Sequence, residues 1–108
     1  MKVVKHDGIY KAARITGPSH NYLGLVVTPV APSKIRCVQR TMPGDGVCEI
    51  DQIRLLEAVS EGVAMANSKT LKQLFVEQVE YVSSDTPDYE AYSELAKVIM
   101  CSASCDFL

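Results

Sequence analysis

The clearest secondary-structure signal lies in residues 51–67, which read DQIRLLEAVSEGVAMAN. Its apolar residues recur at helical spacing: Ile53, Leu55, Leu56, Val59, Val63 and Ala66. This periodicity predicts a helix over 52–67, and Asp51 is placed to cap it because its carboxylate can accept unpaired backbone N–H groups. Gly62 costs about 1 kcal/mol relative to alanine inside a helix. Its presence indicates that another element packs closely against the helix backbone there.

The residues before this helix predict three strands. Ile9 to Thr16 alternates between apolar and polar side chains, and the turn-forming residues 17–21 lead into a second strand over 22–28, antiparallel to the first. Pro29 and Pro32 force a bend before a third strand over 35–41. A turn at 42–46 follows, and residues 47–50 either return as a short strand or lead extended into the helix.

The residues after the helix predict one more strand and one more helix. The strand covers 74–82, and its polar residues Glu77, Gln78 and Glu80 suggest an edge or a partner-facing position. The second helix covers 87–101, with Asp85 as a capping residue, Pro87 in its first turn and Asp88 as an acid near its N-terminus. Its predicted buried stripe consists of Tyr92, Leu95, Ala96 and Ile99.

The predicted order is therefore β-β-β-α-β-α in a single domain, 1–108. The fold class is α+β: a mostly antiparallel sheet with both helices on one face, which makes a two-layer sandwich.

Composition restricts the function. Of the 108 residues, 47% are hydrophobic and 22% charged, with 11 Lys and Arg against 13 Asp and Glu. That describes an ordinary folded domain with a net charge of −2 and no surplus of cations for binding phosphates, so nucleic acid is an unfavourable partner.

No stretch approaches the length of a membrane span and residues 1–7 lack the apolar core of a signal peptide, so we expect a cytoplasmic protein that does not enter the membrane.

The four cysteines do not predict a disulfide or a metal site. In a cytoplasmic chain thiols are normally reduced, and Cys37 and Cys48 fall in apolar stretches typical of core or near-core positions. Cys101 and Cys105 share a helical face, but a zinc site needs about four ligands and neither histidine is near them in the sequence.

Part of the second half resembles a known family. The resemblance is carried by AVSEGVAMA at 58–66, by the strand 74–82 and by DYEAYSELAKVI at 88–99. These stretches resemble the fourth domain of translation elongation factor G, whose fold is shared with the second domain of ribosomal protein S5. The resemblance implies the α+β fold. It does not carry the family's function across, because the domain of the elongation factor works at the ribosomal decoding site through loops at its tip, and the turns at 17–21 and 42–46 match none of their residues.

Catalytic chemistry finds little support in the sequence. His6-Asp7 and Ser19-His20-Asn21 contain the side chains of a hydrolase, but a triad depends on spatial arrangement and on an oxyanion site. The carboxylate pairs Glu77 with Glu80 and Asp85 with Asp88 are typical of a solvated strand face and of an acidic helix N-terminus. We expect a protein that is not an enzyme and that holds no cofactor or metal.

Recognition of another protein remains. The size, acidity and lack of catalytic residues are similar in general character to those of bacterial immunity proteins, which neutralise a nuclease-type toxin. The sequence thus predicts an inhibitor that binds a basic toxin domain. Its expected contact residues are acids of the last strand and second helix, with two tyrosines as anchors that could equally be packing residues: Glu77, Glu80, Tyr81, Asp85, Asp88, Tyr89 and Glu94.

Two alternatives stay open. The first is a ribosome- or RNA-associated module that uses Lys34, Arg36, Arg40 and the turn at His20. The second is a homo-oligomer that assembles through the strand 74–82 as an open sheet edge.

Overall fold

The computed structural model describes residues 1–41 and 43–107, so Met42 of the predicted turn at 42–46 lies outside it. It contains five strands and two helices, followed by a short 3₁₀ turn at Cys105–Phe107: β1 (Val4–His6), β2 (Ile9–Thr16), β3 (Ser19–Thr28), β4 (Arg36–Arg40), α1 (Gln52–Asn67), β5 (Phe75–Val82) and α2 (Tyr89–Ser104). No helix of the described part is long and apolar enough to cross a membrane. The α+β fold class is confirmed, and β1 is an additional strand that the sequence did not predict.

The sheet has the order β1-β2-β3-β5-β4. Neighbouring strands are antiparallel except β4 and β5, which are parallel, as the crossover through α1 requires. The strand β5 therefore lies inside the sheet. The expectation that it is an edge strand, open for self-assembly, is wrong: β3 pairs with one side of it and β4 with the other.

The polar residues of β5 have a different explanation. Both helices pack on one face of the sheet, so each strand needs only one apolar face. On β5, Val79 and Tyr81 belong to the core, whereas Gln78 and Glu80 point to the other face. We call that other side the open face.

The core lies between the sheet and the helices. Leu23 and Leu25 of β3 and Val79 of β5 are completely buried in it. The helix α2 contributes the predicted stripe of Tyr92, Leu95, Ala96 and Ile99, all buried. On α1 the prediction was less accurate, because Ile53 is 71% exposed while Ala58 and Gly62 are buried.

Asp51 and Asp88 cap the two helices, so the cap of α2 is not the expected Asp85. Asp51 caps α1, as predicted, by accepting the N–H groups of Ile53 and Arg54 at 2.9 and 3.3 Å. The cap of α2 is Asp88, which accepts the N–H of Ala91 at 3.4 Å. Asp85 does not cap the helix, because its carboxylate is engaged elsewhere in the fold.

The two helices are in close contact at Gly62. A Cβ at this position would overlap the carbonyl oxygen of Ser93 and would lie 2.7 Å from the Cβ of Ala96. The expectation that another element packs against the backbone at Gly62 is confirmed, and that element is α2. The thiols of Cys37 and Cys48 are free and half-buried against the core, as expected of near-core residues, and burial raises the pKa of Cys37.

Candidate functional site

A groove of about 480 Å³ runs between α1 and α2 on the side away from the sheet. We call it the acidic groove. It is lined by Arg54, Glu57, Ala58, Glu61, Met65, Tyr89, Glu90, Ser93, Glu94 and Lys97. The two helix backbones are in close contact along this side, because Gly62 has no side chain to separate them.

The acids of the groove come in two pairs with helical spacing. Glu57 and Glu61 are four residues apart on α1, and Glu90 and Glu94 are four apart on α2, so each pair occupies one helix face. Since the two faces border the same groove, four carboxylates surround it. Among the described residues, the lining also contains two cations, Arg54 and Lys97.

Among the described residues, three of these four carboxylates form no ion pair. Glu94 is paired with Arg14 of β2, whose guanidinium nitrogen lies 3.0 Å from its carboxylate. Within residues 1–41 and 43–107, Glu57, Glu61 and Glu90 form no ion pair. All three are exposed, so carboxylates without an ion pair face the solvent in the groove, and its acids outnumber its two cations.

Tyr89 stands at the N-terminal end of α2 and connects the two helices. Its hydroxyl accepts the backbone N–H of Asp51 at 2.9 Å, and the guanidinium of Arg54 lies 4.2 Å from the centre of its ring. The contact between cation and ring holds the Arg54 side chain against the groove wall. Tyr89 is half-buried and thus combines a packing role with an exposed aromatic surface.

Lys97 of the groove also lies close to Lys69, which follows α1, and this neighbouring cation lowers the pKa of Lys69.

The structure separates the seven contact residues that the sequence predicted. Tyr89 and Glu94 line the acidic groove, and Asp88 caps the helix beside them. Glu77 is exposed but lies on the sheet, in a shallow pocket with Lys34 and Arg36. The remaining three, Glu80, Tyr81 and Asp85, are buried.

Asp85 is part of an internal hydrogen-bond network. It is 5% exposed, and its carboxylate accepts the backbone N–H of Tyr22 at 2.7 Å and the hydroxyl of Tyr92 at 2.8 Å. The Nδ1 atom of His20 lies 3.3 Å from its other oxygen. Burial raises the pKa of Asp85, while these hydrogen bonds act in the opposite direction. Its role is to attach the loop after β5 to the beginning of β3, so placing it on a contact face was wrong.

Tyr81 is 1% exposed and packs in the core as the strand alternation requires. Its hydroxyl donates to Gln39 Oε1 at 3.0 Å and accepts from Gln52 Nε2 at 2.8 Å. The packing alternative for this tyrosine is therefore correct, and the anchor alternative is wrong.

Glu80 lies on the open face and is 7% exposed. Tyr22 donates its hydroxyl to this carboxylate, and a guanidinium nitrogen of Arg40 lies 3.7 Å from it. Gly24 leaves room for this pair, since a Cβ there would lie 2.9 Å from the Tyr22 hydroxyl. The carboxylate is thus covered by side chains of the same sheet and is not available as a contact residue.

The hydrolase-like side chains do not assemble into a triad. His20 is oriented by Asp85, but Ser19 is its direct neighbour in β3, so the two side chains point to opposite faces of the sheet. His6 Nδ1 and Asp7 Oδ2 lie 3.3 Å apart at the exposed end of β1.

The residues that sequence reasoning missed are Glu57, Glu61 and Glu90. Their spacing of four, opposite the apolar stripes, was a signal that could have found them, but their common groove depends on how the helices pack. Comparison with protein-family models, with curated proteins and with solved structures finds no significant match for this chain.

Proposed function

We propose that this chain is a binding protein that recognises a basic protein partner through the acidic groove and neutralises it, as an immunity protein neutralises a nuclease-type toxin. The observation that carries the proposal is a set of three exposed carboxylates that form no ion pair within the described residues, Glu57, Glu61 and Glu90, and that line the same groove as Tyr89.

Charge and aromatic surface support this proposal together. Unpaired carboxylates attract a cationic surface, raise its association rate and disfavour acidic partners. Tyrosine is enriched among the residues that dominate binding energy, and Tyr89 is held in place by Asp51 and Arg54. Little of the binding energy is then needed to order the groove.

We revise the contact residues of this proposal accordingly. Tyr89 and Glu94 are retained because they line the groove, and Asp88 is retained because it directly precedes Tyr89 as the cap of α2. Glu57, Glu61 and Glu90 replace the buried residues, and Glu77 lies outside the groove on the sheet.

The experiment is affinity purification of the tagged chain from its own cells, with the bound proteins identified by mass spectrometry. We expect one basic protein in an amount equal to that of the tagged chain. The variant Glu57→Lys/Glu61→Lys should no longer capture this basic protein. The matched control, Asp7→Lys/Glu77→Lys, makes the same change of charge at exposed positions outside the groove and should retain it.

A second measurement tests the neutralising role. The purified partner is assayed for nuclease activity with and without one equivalent of the chain, and we expect the activity to be lost. Equal capture by both charge variants would refute the groove as the binding site, whereas an active partner in the complex would refute only the neutralising role.

One observation favours a second candidate, the RNA-associated module. The structure places Arg36, Arg40 and His20 on the same open face, as their register in β4 and β3 requires. Arg36 is held by Gln78, whose oxygen lies 3.1 Å from its Nε, and Arg40 is partly neutralised by Glu80. Filter binding of single-stranded RNA at increasing salt tests it: affinity that falls steeply supports this module, and no binding at low salt excludes it.

A further inference from the structure

A second cavity, which we call the lateral cleft, lies between α1, the start of β5 and the segment 31–35 that leads into β4. Its volume is about 610 Å³. It is lined by Ala31, Pro32, Ile35, Val59, Ser60, Val63, Ala64, Asn67, Ser68, Gln73, Phe75 and Val76.

The cleft results from how the helices sit on the sheet. The helix α2 packs on β2 and β3, whereas α1 packs mainly against α2 and touches the sheet only lightly at β5. The side of the sheet at β4 therefore has little helix above it. Ile35 and Cys37, which point toward the helices, remain only half-buried.

Exposure falls from the rim of the cleft to its floor. Ser60 and Gln73 are exposed, Ile35 and Phe75 are half-buried, and the floor residues Val59 and Val76 are nearly inaccessible. A graded apolar depression of this volume is typical of a small-molecule site.

The lining of the cleft is uncharged. All of its residues are apolar or neutral polar, although 22% of the chain is charged and charged residues line the acidic groove. A charged group placed here would lose water without gaining an ionic partner, which is unfavourable. The hydroxyl of Ser60 and the Oε1 atom of Gln73 supply hydrogen-bonding groups at the rim, while Nε2 of Gln73 donates to the carbonyl oxygen of Asn67 at 3.1 Å.

Asn67 shapes the cleft instead of offering its amide to a ligand. Its Nδ2 donates to the carbonyl oxygen of Leu74 at 3.0 Å, and its Oδ1 accepts the N–H of Leu74 at 3.2 Å. This pair fixes the end of α1 against the start of β5, so the cleft is already formed in the protein without a ligand.

From the volume, the graded burial and the neutral lining together, we propose that the lateral cleft binds an uncharged, largely apolar small molecule, with its polar end at Ser60 and Gln73. This site is separate from the acidic groove, and the proposal does not depend on the protein partner.

The test uses two fluorescent probes that differ in charge. N-phenyl-1-naphthylamine is neutral, and 1-anilinonaphthalene-8-sulfonate carries a similar aromatic system with a negative charge. We expect the neutral probe to bind at one site, at least about tenfold more tightly than the anionic one. The methyl NMR signals of Val59, Val63 and Val76 should shift on binding.

Two rim variants locate the site. Ser60→Trp and Ala64→Trp place an indole at exposed helix positions on the rim, so they should reduce affinity for the neutral probe about tenfold while the chain stays folded. The matched control Ser102→Trp, at an exposed position of α2 outside the cleft, should leave the affinity unchanged.

Three results would overturn the proposal: no binding of the neutral probe, equal affinity for both probes, or methyl shifts confined to other residues. If one rim variant fails to fold, the other variant and the NMR signals still decide the question.

Discussion

Gly62 is the residue on which the contact between the two helices depends. Its hydrogen atoms face the carbonyl of Ser93 and the methyl group of Ala96, and a larger residue would separate the helices. The sequence indicated a close approach at this position because glycine is otherwise unfavourable in a helix. It could not indicate which element approaches.

We expect Gly62→Ala to lower the free energy of unfolding by about 2 kcal/mol. Alanine gains about 1 kcal/mol of helix propensity, but the overlap with α2 costs more than this gain. Urea denaturation measures the change. Gly46→Ala is the control, since a Cβ at Gly46 has open space around it and should change stability by less than about 0.5 kcal/mol.

Because Asp85 is buried, we expect the free energy of unfolding to depend on pH. Its pKa is raised above the ordinary value of 3.8, so the folded state holds this proton more tightly than the unfolded chain does. The contribution of Asp85 to stability is complete below pH 3.8 and is lost as the pH rises through the raised pKa.

Asp85→Asn removes this titration while keeping an acceptor oxygen for the N–H of Tyr22. As the pH rises from about 3.5 to about 6.5, the wild type should lose stability relative to the variant, because only the wild type must ionise a buried carboxyl group. A difference that stays constant over this range would contradict the assignment. The measurement is urea denaturation at several pH values.

Asp85 also shows why part of the site could not be predicted. Asp85 and Asp88 both precede the helix at spacings suitable for a cap, and local sequence does not distinguish them. Tyr22, which is distant in sequence, and Tyr92, which lies inside α2, both donate hydrogen bonds to the Asp85 carboxylate. Asp85 is therefore engaged away from the helix N-terminus, and Asp88 is the cap.

At the scale of single elements, α1 was predicted with its observed bounds, 52–67, because its periodicity, its cap and its glycine agree. The strand β1 was missed because three residues are too few to show a period of two. The position of β5 was also missed, since strand order depends on contacts between distant parts of the chain.

The cap of α1 allows a direct test. Asp51→Ala leaves the N–H groups of Ile53 and Arg54 without their acceptor and should lower the free energy of unfolding by about 1 kcal/mol. Asp51→Asn keeps a side-chain oxygen and should cost only a small part of that. Equal losses in thermal denaturation would show that the charge, and not the hydrogen bonds, stabilises the helix.

At the scale of the whole molecule, the turn at Cys105–Phe107 is attached to two distant parts of the chain. The Tyr10 hydroxyl on β2 donates to Asp106 at 2.6 Å, and Lys72 donates to the carbonyl oxygen of Phe107. Burial and the Asp106 carboxylate raise the pKa of Tyr10 to about 12. The short turn after α2 is therefore held on the sheet although it follows the last helix.

This connection can be measured by a double-mutant cycle. Tyr10→Phe and Asp106→Ala should each lower the free energy of unfolding, and together they should cost less than the sum, with a coupling of about 1 kcal/mol. Additive losses would mean that the two side chains do not interact in solution.

The position of β5 between β3 and β4 has a consequence for folding. The strands β2 and β3 form a local hairpin, but β4 has no partner until β5, which follows α1, has entered the sheet. Until residue 82 has left the ribosome, the inner edge of β3 exposes unpaired backbone groups and apolar side chains. A chain ending before β5 should therefore aggregate. The sheet cannot be completed until β5 pairs with both β3 and β4, and because this step depends on distant contacts we expect it to be slower than hairpin formation.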